Sequence, residues 1–219
     1  MALNKLKFNS LNVTPAASEA IRFNSSANGL ETTSSFGGNL KKLSTTTLSS
    51  AASAISFTSG IDSTYKEYIF IANNMHPETN GQNFRVDFKD SGGNSLTKTT
   101  SFFMAYNNES GTSDFDLEYD TTIDLAQSTS GALISQFGFG GENADECGVF
   151  IVHLFEPSST TFQKHFLVTA RGMGYASDEY TTTNYTGGYV NSTSAVTQAS
   201  FFFNSGNIDA GTITMYGVL

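Results

Sequence analysis

From residue 40 onward the chain reads as one short strand after another, which restricts it to a sheet protein. Residues 40–48, 54–58 and 65–72 are the first three stretches. Residues 84–89, Phe-Arg-Val-Asp-Phe-Lys, alternate apolar with charged, as a strand with one buried face does. Residues 100–106, 132–137, 148–155, 163–171, 185–190, 196–204 and 212–218 complete the series. Gly, Asn, Ser and Asp cluster between them. Residues 91–95 read as a turn, and residues 205–211 as a hairpin-length loop joining the last two strands. Short regular strands with such breaks predict an all-β fold, a single sandwich or jelly-roll domain over residues 40–219. The apolar residues suit sheets: 19 Phe and 9 Tyr, with no Trp. No heptad pattern appears, so no coiled-coil stalk is expected.

Residues 1–39 have a different character. Asn, Ser, Thr, Gly and Ala dominate, and such a segment buries too little apolar surface to offset its ordering entropy. It holds one phrase twice, Leu6-Lys7-Phe8-Asn9-Ser10 and Ile21-Arg22-Phe23-Asn24-Ser25, fifteen positions apart. Each copy is an aliphatic residue, a cation, a Phe, an Asn and a Ser. The expectation is an extended arm that docks on a partner. Leu6, Lys7, Phe8 and Asn9 would fill one pocket and Ile21, Arg22, Phe23 and Asn24 a similar one. Each Phe is then the apolar anchor, and each cation meets carboxylates. Fifteen extended residues reach roughly 50 Å, enough to bridge neighbouring subunits. Gly37-Gly38 reads as the hinge. A helical turn or two over residues 15–22 is the alternative, with Thr14 as cap and Pro15 in the first turn.

Charge sharpens the contrast. Residues 1–42 hold five cations against Glu19 and Glu31, a balance of +3, so a net charge of −9 leaves −12 for the remainder. An acidic body argues against nucleic acid as its partner. No stretch approaches the roughly 20 apolar residues of a membrane span. Cys147 is the one cysteine and precedes an apolar strand; a small core residue is expected there.

No catalytic motif emerges, and neither a metal nor a cofactor is expected. His76, His153 and His165 form no HxH or HxxxH pair. The run from Asp114 to Asp120 alternates carboxylates with Phe115, Leu117 and Tyr119, so as a strand it would separate them onto two faces. A solvated face is the reading, with a weak Ca²⁺ site as the alternative. An EF-hand is excluded, because its Gly and Glu positions hold Tyr119 and Leu125. Glu67, Glu118 and Glu156 lie in or beside apolar strands, but no spacing couples two of them for glycoside hydrolysis. Residues 174–189 place Tyr175, Tyr180, Tyr185 and Tyr189 among Gly, Ser, Thr and Asn. Binding loops use that mixture, so a contact loop for a ligand or a subunit is expected, with plain packing as the alternative.

The phrases around Leu3–Leu11, Ile21–Ser26 and Gly29–Thr32 resemble small virion structural proteins of tailed phages that infect marine bacteria. So do those at residues 63–70, 76–79, 154–162 and 205–213, while residues 90–150 resemble them least. The resemblance implies a place in the virion and carries no catalytic residues. It implies a non-enzymatic accessory held by its arm to a capsid or tail scaffold. Capsid decoration is the first expectation, and a fibre or adhesin that binds host glycans is the alternative. A homo-oligomer is expected, a trimer among the candidates, without nucleic acid or membrane.

Overall fold

The computed structural model describes residues 20–26, 28–33, 38–111, 115–141, 143, 145–174 and 180–219. The chain divides into two compact units, Met1–Asn39 and Leu40–Leu219. Among the described residues every regular element is a strand.

In the first unit β1 (Ala20–Phe23) pairs with β2 (Leu30–Thr33) as an antiparallel hairpin. Residues 20–22 are therefore strand and not the end of a helix; residues 15–19 lie outside the described residues. Local chemistry explains the hairpin. Arg22 stands opposite Glu31, and its Nε donates to Oε1 at 2.9 Å. Asn24 closes the turn by donating its backbone N–H to the Gly29 carbonyl at 2.9 Å. Its side chain also exchanges hydrogen bonds with Asn28, at 3.0 and 3.2 Å.

The second unit is a sandwich of unequal sheets. Its strands are β3 (Leu40–Thr47), β4 (Ile55–Phe57), β5 (Glu67–Pro77), β6 (Phe84–Lys89), β7 (Lys98–Asn108), β8 (Phe115–Glu118), β9 (Ala132–Ser135), β10 (Gly148–Phe155), β11 (Lys164–Gly174), β12 (Tyr180–Val190), β13 (Gln198–Phe203) and β14 (Ile208–Val218). Eight form one sheet in the order β3-β14-β5-β10-β11-β12-β7-β8, and four form the other, β4-β13-β6-β9. All pairings are antiparallel.

Alternation drives the union of the sheets. Tyr68, Phe70, Phe150, Val152, Phe166 and Val168 point to one side of the large sheet. They meet Phe57, Phe84, Val86, Phe88, Phe201 and Phe203 of the small one. All are at most 4% exposed, so apolar burial holds the two layers together. The connection after β13 is a crossing between the sheets and not a hairpin, because β13 and β14 belong to different sheets. β14 also begins at Ile208, inside the stretch read as loop.

Two expectations fail on burial. Asp87 is 5% exposed although β6 alternates as if it faced solvent. Its partners explain this: Ser95 donates to Oδ2 at 2.6 Å, and the buried Lys98 Nζ lies 2.6 Å from Oδ1. Cys147 is half-buried, just before β10, and is no core residue.

Candidate functional site

Four rings were expected to share a contact loop, and the structure separates them. Residues 180–190 are a strand of the large sheet. Tyr185 and Tyr189 share one face of it. Tyr180, of opposite parity, lies on the other side with its ring against Tyr106, centroids 5.7 Å apart. Tyr175 lies outside the described residues. The loop reading failed because Thr181, Thr182, Thr183 and Asn184 look like turn residues. In fact Thr182, Asn184 and Thr186 form a buried polar seam at the back of β12. Thr186 Oγ1 donates to the Leu133 carbonyl at 2.7 Å, and Asn184 Oδ1 accepts from the Gln136 N–H at 3.2 Å.

Tyr185 and Tyr189 belong to a larger surface, the outer face of the eight-stranded sheet. Cross-strand register sets its rows. One row runs Thr214, Ile71, Ile151, Thr169, Tyr185, Phe103. The next runs Tyr216, Ile69, His153, Leu167, Gly187, Ser101. Phe103 and Tyr185 stack at 4.9 Å with planes 17° apart. Val149, Ile151, Leu167 and Phe103 are 42, 38, 54 and 44% exposed. An antiparallel sheet with one covered face normally shows polar residues on the other. This face instead mixes Thr214, Thr169 and Ser101 with a central apolar cluster of Ile71, Val149, Ile151, Leu167 and Phe103. Its relief is shallow: the recess beside Ile71, Val149, Ile151, Thr169 and Arg171 holds about 210 Å³, below the roughly 300 Å³ at which small-molecule pockets begin. The surface suits flat contact.

Two histidines on this face have ring or carboxylate neighbours. His153 Nδ1 lies 2.6 Å from Glu67 Oε1, and the His165 ring lies 6.0 Å from that of Tyr189. At the sheet edge, β8 shows all four residues to solvent. Its alternation puts Phe115 and Leu117 on the outer face, 66 and 69% exposed, with Asp116 and Glu118 on the other. Asp120 accepts from the Thr122 N–H at 2.8 Å and its hydroxyl at 2.6 Å. Among the described residues no three His, Cys, Asp or Glu side chains cluster to hold a metal ion. Glu67 and Glu118 are separated by four intervening strands, roughly 24 Å at sheet spacing, too far for a hydrolytic pair. Glu156 is instead 3.0 Å from Lys66 Nζ.

In the hairpin the repeated phrase divides its labour. Arg22 already has Glu31, so a partner's carboxylates would compete for it. Asn24 is spent on the turn. Phe23 is free to anchor: it is 74% exposed, with Ile21 at 37%. Leu6, Lys7, Phe8 and Asn9 lie outside the described residues.

His76 shows a different arrangement. Its Nε2 lies 2.9 Å from the Asn143 carbonyl and its Nδ1 2.6 Å from Asp209 Oδ1. Both partners are acceptors, so both ring nitrogens carry hydrogen and the ring is a cation. Burial alone would lower its pKa. The bond to Asn143 and the bond and charge of Asp209, with the charge of Glu146, outweigh that and raise it above the ordinary 6.5. A raised folded-state value stabilises the fold at low pH and loses that contribution as pH climbs through it. The Tm advantage of the wild type over His76→Gln should therefore be full well below the ordinary value of 6.5 and shrink as the pH climbs above it. Thermal melts across that range check it, and an advantage that grows with pH contradicts it.

No family model and no curated protein matches the chain. One solved structure that it resembles is a mutant of the GH43 protein BlXynB from Bacillus licheniformis. Identity is 12%, coverage is 70% of this chain and 27% of that one, and the TM-score is 0.28. At that score no activity is carried over.

Proposed function

We propose that this chain is a non-enzymatic virion accessory protein, held to a capsid or tail scaffold by its N-terminal segment and presenting the sandwich outward. The sequence resemblance to small phage virion proteins supports the setting. The observation that carries the docking role is Phe23: a large ring, 74% exposed, on a hairpin whose Arg22, Glu31 and Asn24 side chains are paired within it. A two-stranded hairpin is marginal alone in water. A ring offered on one gains most by burial against a partner.

Capsid decoration is the favoured placement, with many copies per particle. The Phe103–Tyr185 stack favours a second reading, a fibre or adhesin whose rings meet a host sugar, with few copies. Copy number on purified particles separates the two.

The anchor itself is tested by Phe8→Ala with Phe23→Ala. Phe23 is exposed, so its truncation should leave the hairpin's hydrogen bonds intact. Interface anchors are each worth about 1–2 kcal/mol or more, so occupancy on particles should fall about tenfold or more at limiting protein. Normal occupancy of the double variant refutes the anchoring role.

A further inference from the structure

We infer that a second copy of this chain covers the outer face of the eight-stranded sheet. The inference deepens the assembly role proposed above and rests on it for its setting. Its physical case is independent. Ile71, Val149, Ile151, Leu167, Phe103 and Tyr185 lie on adjacent strands with their side chains turned away from the core. Contiguous exposed apolar surface of this kind marks a contact site.

Charge selects the occupant. The chain carries 20 carboxylates and a net charge of −9, so two copies repel across most of their surfaces. The central strands β5, β10, β11, β12 and β7 hold a single carboxylate, Glu67, and it lies 2.6 Å from His153 Nδ1. Arg171 offsets it on the same face. This face is poor in carboxylates and apolar at its centre, around Ile151 and Leu167, so two like-charged copies can meet there without opposing rows of acids.

Area is sufficient. Seven strands from β3 to β7 span roughly 29 Å, and four rows of outward residues run roughly 20 Å along them. The flat footprint is roughly 600 Å² before side-chain relief is counted, and a specific contact needs roughly 600–800 Å² per partner. A two-fold contact presents the same patch twice, so its two halves match in polarity by construction.

Sedimentation of the purified full chain over a concentration series tests this. The wild type should show mass rising with concentration and little loss on adding salt. Ile151→Asp with Leu167→Asp should weaken association at least a hundredfold. Phe162→Asp, 75% exposed outside the strands of that face, should leave it unchanged. If the aspartate variant fails to fold, Ile151→Thr with Leu167→Thr keeps β-branched residues in the strands and should weaken association about tenfold. A wild type that stays monomeric overturns the inference, including one whose face is taken by a glycan. Association that survives both pairs of substitutions also overturns it. Because association is read on purified protein and incorporation on particles, failure here is distinguishable from failure of the virion role.

Discussion

Asp87→Ala is expected to cost about 3–5 kcal/mol, because it strands a fully buried ammonium. Lys98 opens β7 with its side chain wholly out of water, and its Nζ lies 2.6 Å from Asp87 Oδ1 and 2.6 Å from the Leu96 carbonyl. Ser95 donates to the other carboxylate oxygen at 2.6 Å. Burial pulls the Lys98 pKa down, and the bond and charge of Asp87 hold it up against that pull. Without Asp87 the amine must either lose its proton or stay charged with carbonyls alone, and each costs free energy. The pair also joins the layers, since Asp87 belongs to the small sheet and Lys98 to the large one. Urea melts should show the midpoint falling by roughly 2 M, given a slope near 2 kcal/mol/M. The paired replacement Asp87→Leu with Lys98→Met should instead be close to neutral, since neither charge then needs a partner. A loss under about 1 kcal/mol for Asp87→Ala refutes the argument.

Asp87 also shows where the sequence stops being legible. Alternation in β6 places its bounds, Phe84–Lys89, correctly, as apolar periodicity does for β10 at Gly148–Phe155. Local pattern says which residues share a face. It does not say that Ser95 and the buried Lys98 close on Asp87 and take it out of water. The same limit hid the outer surface of the large sheet. Ile151 and Leu167 read as ordinary members of apolar strands, and only the register across five strands shows that nothing in the described unit covers them. β12 was cut short because Thr and Asn look like turn residues, whereas hydrogen bonds to Leu133 and Gln136 satisfy them within the sandwich. Phe139 is the plainest case. Gly-Phe-Gly-Gly reads as a turn, and Gly138 and Gly140 do adopt φ of 69° and 106°. Yet the Phe139 ring is fully buried in the core. It fits because Gly148 and Gly172 face each other across β10 and β11. A Cβ on Gly148 would lie 1.9 Å from the ring, and one on Gly172 2.8 Å. A glycine pair shaped to one distant ring leaves no periodic trace.

Phe201→Ala is expected to lower stability by about 3–5 kcal/mol, the usual cost of removing a fully buried ring. Phe201 sits on β13 at the middle of the sandwich and is 0% exposed. It stacks on Phe150 at 5.3 Å, tilts against Phe70 at 5.3 Å and meets the edge of Phe57 at 6.2 Å. Phe150 and Phe70 are large-sheet residues, so the ring bridges the layers, and its loss leaves a cavity bounded by strands too well paired to close it. A Tm drop of roughly 10 °C follows for a domain of this size. Phe201→Leu should lose distinctly less, since most of the volume remains. Equal losses for Ala and Leu would refute the bridging role. Phe201 faces away from the outer surface, so molecules of Phe201→Ala that remain folded should still associate as the wild type does. Ile151→Asp with Leu167→Asp should show the reverse, a stable monomer. Opposite outcomes are the physical signature of one sheet whose two sides serve different ends: one closes the fold, and the other meets a neighbour.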